Sequence, residues 1–181
     1  MVKNTFFLRD SVRTDSTNQT RQVTEIDLGA FVNLGSTKPQ LLRIHSIQIQ
    51  YCDSNGAPAL IDAASTVADG KSAFATCSLT TKSTLLTSPY MPVLSEDETV
   101  FTSSIVGTNL NDDKDQGIMS DAMDLAPQHL MNGYLIGVDT LYLYGICDDA
   151  WDEDIFIHVC MECSTEPANK ENAVNLALSQ I

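Results

Sequence analysis

The chain has 181 residues, 43% of them apolar, which suffices to bury roughly two-thirds of the unfolded surface in one domain without disulfides or metals. Acidic residues outnumber basic ones by 24 to 10, a formal charge of −14, and this argues against a surface that coats nucleic acid, because such a surface neutralises phosphates. Residues 1–45 carry six basic and four acidic side chains, whereas the other 136 residues carry four and 20. Two interpretations fit: the basic end meets an anion, or the acidic body is a solvated surface adapted to a salty medium.

The first residues, "MVKNTFFLRDS", contain a three-residue apolar run, which is too short for a signal peptide. No window approaches the ~18 apolar residues of a membrane span. The sequence therefore predicts synthesis in a cytoplasm. In such a compartment, five cysteines are expected to stay reduced and to pack as small apolar groups, namely Cys52, Cys77, Cys147, Cys160 and Cys163.

Residues 1–22 are rich in Ser, Thr, Asn and Arg, and their apolar cluster is Phe6, Phe7 and Leu8. This composition predicts an extended N-terminal arm that either stays loose or inserts its Phe pair into a groove of a neighbour. The predicted organisation is an arm over 1–22, a β-sandwich over 23–165 and a C-terminal amphipathic helix over 166–181.

From residue 23 onward, apolar and polar residues alternate in short runs separated by turn residues, which is typical of β-strands. In the clearest run, Ile47 and Ile49 alternate with Gln48 and Gln50, which predicts a long half-buried strand. The segment 108–129 is polar or poor in apolar residues and is interpreted as a connection. The strands predicted before residue 108 are 23–32, 40–52, 71–81 and 98–107, and a turn is predicted at Asn55-Gly56.

The strongest β pattern spans 133–147, and its apolar residues occupy both faces, so the strand should be covered on both sides. One face holds Leu141 and Leu143, and the other holds Tyr142, Tyr144 and Ile146.

Five acidic residues then surround Trp151, the single tryptophan, within 148–154. We interpret them as the solvated tip of a hairpin that leads into a second apolar strand. Alternation places Ile155, Ile157, Val159, Met161 and Cys163 on one face of that strand, and Phe156, His158, Cys160 and Glu162 on the other.

A helix is predicted to begin at Pro167, with a narrow apolar stripe formed by Val174, Ala177, Leu178 and Ile181. A helix of about fourteen residues is marginal alone and must dock on its own domain or on a neighbour. At least six strands without long intervening helices predict an all-β, antiparallel β-sandwich, and an eight-stranded jelly roll fits the length.

Cys160 and Cys163 form the one Cys-x-x-Cys of the sequence. Structural zinc needs four ligands, and residues three apart on a strand point to opposite faces. Core packing is therefore predicted for both cysteines, rather than metal or redox chemistry.

Gly70, Lys71 and Ser72 end a segment that resembles a phosphate-binding loop. The first glycine of that motif is replaced by Ser65, and Asp69 would place a negative charge beside the phosphates. A strand pattern also follows where the motif needs a helix N-terminus, so nucleotide binding is not predicted.

Asn111, Asp113 and Asp115 have the alternate spacing of a calcium loop. The glycine comes one place late, at Gly117, and Ala122 stands where a bidentate Glu belongs, so an EF-hand is not predicted. The alternatives are plain solvation of these acids and a looser Ca²⁺ site that uses Asp112, Asp113 or Asp115.

The three histidines, His45, His129 and His158, accompany no Gly-x-Ser-x-Gly or His-Glu-x-x-His motif. Each is predicted to be packed or hydrogen-bonded rather than a general base. Paired carboxylates for glycoside hydrolysis stay open, because no sequence spacing reports them.

Three stretches in this order resemble the single jelly-roll capsid proteins of tailless icosahedral viruses of microbes: "VTEIDLGAFVNLG…LLRIHSIQIQY", "FATCSLTTKST" and "VDTLYLYG…IFIHVCMEC" followed by a short helix. The resemblance spans 23–180. It implies a virion structural protein that assembles with copies of itself and other virion proteins into an icosahedral shell, with no enzymatic activity, cofactor, metal or small-molecule substrate.

The resemblance also implies that the arm lies at the inner surface of the shell. Its basic residues there are Lys3, Arg9, Arg13 and Arg21, against two acidic ones. This is a weak basic patch, so the arm either contacts the genome or clamps adjacent subunits or an internal lipid layer.

Two other functions are compatible with a β-sandwich. The first is a carbohydrate- or ligand-binding module, calcium-assisted, in which Trp151 and the surrounding acids form a platform for a sugar. The second is a cupin-like enzyme, although the usual pair of close histidines with a carboxylate is missing from the sequence.

Overall fold

A computed structural model describes residues 5–58, 72–83, 91–93, 95–96, 98–109 and 116–180, without the side chains of 72, 108, 109 and 116–125. Its regular elements are nine strands, one 3₁₀ turn and one helix. They are β1 (Phe6–Arg13), β2 (Gln22–Asp27), β3 (Gln40–Cys52), β4 (Ser72–Thr80), β5 (Thr99–Asn109), β6 (Gln116–Leu125), the 3₁₀ turn (Pro127–His129), β7 (Tyr134–Ile136), β8 (Thr140–Cys147), β9 (Phe156–Pro167) and α1 (Lys170–Ser179).

The strands form two antiparallel sheets, one in the order β1-β9-β3-β7 and one in the order β2-β8-β4-β5-β6. Apart from β6, the strands pair in a nested order: β1 with β9, β2 with β8, β3 with β7, and β4 with β5. This nested pairing, divided between two facing sheets, is the jelly-roll topology. The predicted fold class, an antiparallel jelly-roll sandwich with a short C-terminal helix, is confirmed.

Alternation along the strands places the core between the two sheets. On β9 the predicted inward face is confirmed, because Ile157, Val159, Met161 and Cys163 are all at most 3% exposed. The largest fully buried side chains of both sheets include Leu42, Ile44, Ile47, Leu79, Phe101, Ile136, Leu141, Leu143 and Tyr144. Tyr144 lies on the face of β8 opposite to Leu143, so coverage of both faces is confirmed at that position.

Two glycines are required by backbone geometry. Gly56 has a φ of +82° in the predicted turn after β3, where its N–H donates to the Asp53 carbonyl. Gly133 has a φ of +66°, and a Cβ there would collide with the carbonyl oxygen of Ile44. A side chain at Gly133 would therefore push β7 away from β3.

Residues 6–13 differ from the predicted arm, because they form the edge strand β1 of the four-stranded sheet. Phe6 and Leu8 pack against the core, and the Phe6 ring stacks on Phe31 with centroids 4.8 Å apart. The other face of β1 carries Arg9, Ser11 and Arg13 together with the exposed Phe7, and this mostly polar face is why the edge strand resembled a solvated segment in the sequence.

The predicted strand over 133–147 is two strands that belong to different sheets. The chain ends β7 at Ile136, crosses between the sheets through Gly137, and enters β8 at Thr140. The predicted hairpin between β8 and β9 is likewise wrong, because these strands lie in opposite sheets. The segment 120–129, interpreted as a connection, contains the end of β6, which adds a fifth strand beside β5.

The helix begins later than predicted, at Lys170, because Pro167 still pairs with Gln40 as the last residue of β9. Asn169 caps the helix by accepting a hydrogen bond from the Asn172 N–H at 2.8 Å. The predicted stripe is also only partly correct: Ala177 is buried, whereas Val174 and Leu178 are exposed, and Ile181 lies outside the described residues. No described helix has the length and apolar character needed to cross a lipid bilayer.

Candidate interaction surfaces

The two cysteines of the Cys-x-x-Cys lie on opposite faces of β9, as predicted. Cys163 is fully buried in the core, and this burial, followed by the charges of Cys160 and Glu162, raises its pKa to about 12. Cys160 is half-buried on the outward face, so the predicted core packing is confirmed for Cys163 and wrong for Cys160. Among the described residues, no three His, Cys, Asp or Glu side chains lie close enough together to hold a metal ion.

The two loop motifs fall largely outside the described residues. Of the phosphate-loop resemblance, residues 65–71 lie outside them, and the strand predicted to follow is confirmed as β4, which begins at Ser72. Residues 111–115 of the calcium-loop resemblance, which include Asp112, Asp113 and Asp115, also lie outside them. Gly117 and Ala122 belong to β6, so a strand stands where an EF-hand requires a helix.

The three histidines lie on different elements. His45 lies at the irregularity between Ile44 and Ser46 in β3, and its Nε2 is 2.8 Å from the Ser164 hydroxyl oxygen, so it is hydrogen-bonded as predicted. His129 is exposed at the end of the 3₁₀ turn, and His158 is exposed on the outward face of β9.

The tryptophan is part of the core. Trp151 is 3% exposed, and its indole N–H donates to the Phe74 carbonyl oxygen at 2.9 Å. Because the connection from β8 to β9 passes from one sheet to the other, Ala150, Trp151 and Ile155 are buried along it. A buried ring offers no face to a sugar, so the predicted carbohydrate platform at Trp151 is wrong.

The acids around this tryptophan have different environments. Asp154 receives four donors: the Arg13 Nε and Nη2 atoms on one oxygen, and the Ser16 N–H and hydroxyl on the other, at 2.8–2.9 Å. Burial opposes ionisation of Asp154, but these bonds lower its pKa below the usual value. Burial, and then the Asp149 side chain, raise the pKa of Asp148. Asp154 thereby ties β1 and the turn after it to the β8–β9 connection.

The basic residues of the predicted arm are distributed over both sheets. Arg9 and Arg13 lie exposed on the outward face of β1. The Arg21 guanidinium lies 4.8 Å from the centroid of the Tyr144 ring, on the five-stranded sheet. Lys3 lies outside the described residues. These side chains therefore do not form a single basic arm.

The C-terminal helix docks beside β7, the edge strand of the four-stranded sheet. The Gln180 carboxamide donates to the Leu135 carbonyl at 2.8 Å and accepts from the Gly137 N–H at 2.8 Å. Residues two apart on a strand present their backbone groups to the same side, so Gln180 bonds the edge of β7 as a neighbouring strand would. The Thr81 hydroxyl also donates to the Gln180 carbonyl, which joins the helix end to the other sheet.

Exposed apolar side chains lie on two segments next to β7, the turn that leads into it and α1, and we call this region the β7/α1 edge. Seven large apolar side chains are exposed among the described residues, and four of them are Leu130, Met131, Val174 and Leu178, with exposed fractions of 40%, 98%, 39% and 66%. Two grooves border α1. The groove of about 570 Å³ includes Val32, Leu34, Val138 and Ala177, and the groove of about 410 Å³ includes Tyr134, Leu135 and Leu176.

Comparison with known proteins supports the same fold. The sequence matches no protein-family model and no curated protein. A chain of the Merkel cell polyomavirus virus-like particle superposes with a TM-score of 0.56 over 93% of this chain and 76% of the other, at 6% sequence identity. This chain shares the fold of a virus-particle subunit. The VP1 protein of New Jersey polyomavirus gives a TM-score of 0.49 over 92% of this chain and 100% of its own, at 7% identity.

The sequence indicated Val174 and Leu178 as apolar residues of the helix, but it did not indicate Gln180 or Met131 at the β7/α1 edge. Gln180 is polar and was left outside the predicted apolar stripe, yet it is 4% exposed. Met131 follows the 3₁₀ turn in a segment interpreted as a connection. The sequence does show a polar residue, Gln180, at the end of a short helix. The backbone groups at β7 that it bonds depend on the tertiary fold, so they could not be predicted.

Proposed function

We propose that this chain is a capsid subunit that assembles with copies of itself into the icosahedral shell of a virion. The observation that carries the proposal is the nested two-sheet topology, which extends over 93% of the chain in the superposition on a subunit of a virus-like particle. The role is structural rather than catalytic.

The β7/α1 edge is the surface best suited to contact a second copy. Exposed apolar side chains on a soluble protein are candidates for interaction with a partner, and Met131 at 98% exposure gains the most from burial against a neighbour. Gln180 already bonds the backbone of β7 at Leu135 and Gly137. Contact with a neighbour would therefore use side chains rather than strand addition at those positions.

The kind of virus, the neighbouring proteins and the location of β1 in the shell are proposed from the sequence resemblance. We place the subunit in a tailless icosahedral virus of a microbe, within the virion and beside other virion proteins. The predicted inner location of residues 1–22 then applies to β1, whose exposed Arg9 and Arg13 are the residues that would face a genome or an internal lipid layer.

Assembly can be tested with purified protein by electron microscopy and analytical ultracentrifugation over a range of salt and calcium concentrations. We expect capsomers or shells from the wild-type chain. A Met131→Asp and Leu178→Asp double variant should weaken association by at least about 10-fold, because two charges would be buried at the contact.

Val93→Asp is the matched control, since Val93 is 52% exposed but is not one of the residues that define the β7/α1 edge. This variant should assemble as the wild type does. A wild-type chain that remains monomeric at high concentration would contradict the proposed function. Normal assembly of the double variant would contradict only the role of the β7/α1 edge.

A further inference from the structure

The outward face of the four-stranded sheet carries a groove that lies outside the β7/α1 edge. Its floor is two adjacent cross-strand rows contributed by β1, β9 and β3. A groove of about 440 Å³ opens over these rows, within the size range of small-ligand sites. The first row is Arg9, Cys160 and Gln48, and the second is Ser11, His158 and Gln50.

Polar side chains elsewhere on this sheet are paired within the protein. Arg13 binds Asp154 at 2.8 Å, and Arg43 binds Glu166 in a two-point contact at 2.8 Å. His45 lies 2.8 Å from the Ser164 hydroxyl. These charged and polar groups are already satisfied, so they are unavailable to a ligand without breaking an internal contact.

The groove differs in this respect. Within the described part of the chain, the Arg9 guanidinium has no carboxylate partner and lies 5.5 Å from the centroid of the Phe7 ring. The side chains of His158, Gln48 and Gln50 make no hydrogen bond to the protein there. The one carboxylate that lines the groove, Asp10, accepts the Ser11 N–H at 2.7 Å.

The patch between these groups has the size of a small ligand, and its arginine suits a ligand that carries an oxyanion. Residues two apart on a strand are about 6.6 Å apart, and neighbouring strands about 4.8 Å, so the four donor-bearing side chains surround a patch of about 7 by 10 Å. A guanidinium binds phosphate and carboxylate with two parallel hydrogen bonds. Because the protein carries a net charge of −14, anions are repelled from most of its surface, and Arg9 is a local exception.

We propose that this groove binds a ligand of one or two rings through a phosphate or carboxylate group, with Arg9 as the anchor. His158 adds an imidazole donor from the adjacent row. Gln48 and Gln50 hydrogen-bond the uncharged part of the ligand. The site is a binding site, and no chemical step is assigned to it.

The test is a titration of the purified subunit with inorganic phosphate and, separately, acetate, followed by ¹⁵N NMR. Saturable shifts at residues 9, 48, 50 and 158 are expected with at least one probe. Arg9→Ala should weaken that binding at least about 10-fold, since a charged two-point contact is lost. Arg13→Gln is the matched control, with an arginine on the same face of the same strand that is already bound by Asp154.

A nucleoside monophosphate and glucuronate then identify the source of the anion, because each carries one of the two groups on a ring of suitable size. Tighter binding of the nucleoside monophosphate than of phosphate, or of glucuronate than of acetate, supports the proposal. The ligand that gains affinity shows whether the anionic group is a phosphate or a carboxylate. Absence of saturable shifts with all four probes, or equal binding by wild type and Arg9→Ala, would overturn it. The titration measures ligand binding to the folded subunit, so its outcome does not depend on whether the subunit assembles into a shell.

Discussion

The Gln180 side chain and the Gly137 backbone form a buried hydrogen bond of 2.8 Å that fastens the end of α1 to the edge of the four-stranded sheet. The same carboxamide donates to Leu135, so one side chain satisfies a backbone group of β7 and another just after it. Gly137 permits the close approach, because a Cβ there would lie 3.2 Å from the Ala177 nitrogen.

Replacing this side chain should loosen the sheet edge. Gln180→Ala leaves the buried Gly137 N–H and the half-buried Leu135 carbonyl without these partners, and we expect a loss of about 1–3 kcal/mol in the free energy of unfolding. Urea denaturation measures it. Gln50→Ala, at an exposed position, is the control and should change stability by less than about 0.5 kcal/mol. Equal stabilities of the two variants would show that the edge contact contributes nothing.

Asp154 should stabilise the protein through its contacts with Arg13 and Ser16. Asp154→Ala removes a carboxylate that accepts three hydrogen bonds and also forms an ion pair with the Arg13 guanidinium, and we expect a loss of about 1–3 kcal/mol at pH 7. Asp152→Ala, an exposed acid in the same connection, should have little effect. Thermal or urea unfolding of both variants provides the comparison.

The pH dependence of this contribution has a defined sign. The pKa of Asp154 is lowered in the folded state from the ordinary 3.8, so the stabilisation is present above that value. It should disappear as pH falls from 3.8 toward the folded-state pKa, because protonation ends the pairing. A difference between wild type and Asp154→Ala that stays constant through this acid range would contradict the assignment.

Asp148 should behave in the opposite way. Its pKa is raised in the folded state by burial and by Asp149, so folding disfavours its charged form and stability falls as pH rises from 3.8 through the folded-state pKa. Asp148→Asn keeps an oxygen for the Ala150 N–H, which lies 3.2 Å from Oδ1. We expect this variant to gain up to about 1 kcal/mol at pH 7, the scale of surface charge pairs. The gain should vanish below pH 3.8 in a urea series, and a loss at pH 7 would refute the prediction.

Local alternation predicted the strands that carry most of the core. Every second residue from Ile155 to Cys163 is apolar, so the inward face of β9 could be predicted from the sequence alone. The sheet to which each strand belongs could not, since β7 and β8 form one continuous apolar pattern and separate only at Gly137. Edge position also concealed β1, because its outward face is polar except for Phe7, and this gives the sequence the character of a loop.

The candidate surfaces were harder to predict than the fold. Arg9, Gln48 and His158 are far apart in the sequence and become neighbours only through the register of β1, β9 and β3. Trp151 suggested a ligand platform because acids surround it, but the crossing between sheets buries the ring. Pairing register and sheet crossing are long-range properties, which composition and periodicity do not contain.

The cysteines on β9 provide a solution test of which face is inward. With a pKa of about 12, Cys163 is a thiolate in about one molecule in ten thousand at pH 8, and the thiolate is the reactive species. Cys163 is also fully buried, whereas Cys160 is half-buried on the outward face. We therefore expect a disulfide reagent to label Cys160 first and Cys163 only after denaturation, as read by mass spectrometry of peptides. Cys160→Ser should remove the first labelling event. Rapid labelling of Cys163 in the native protein would mean that its face of β9 does not line the core.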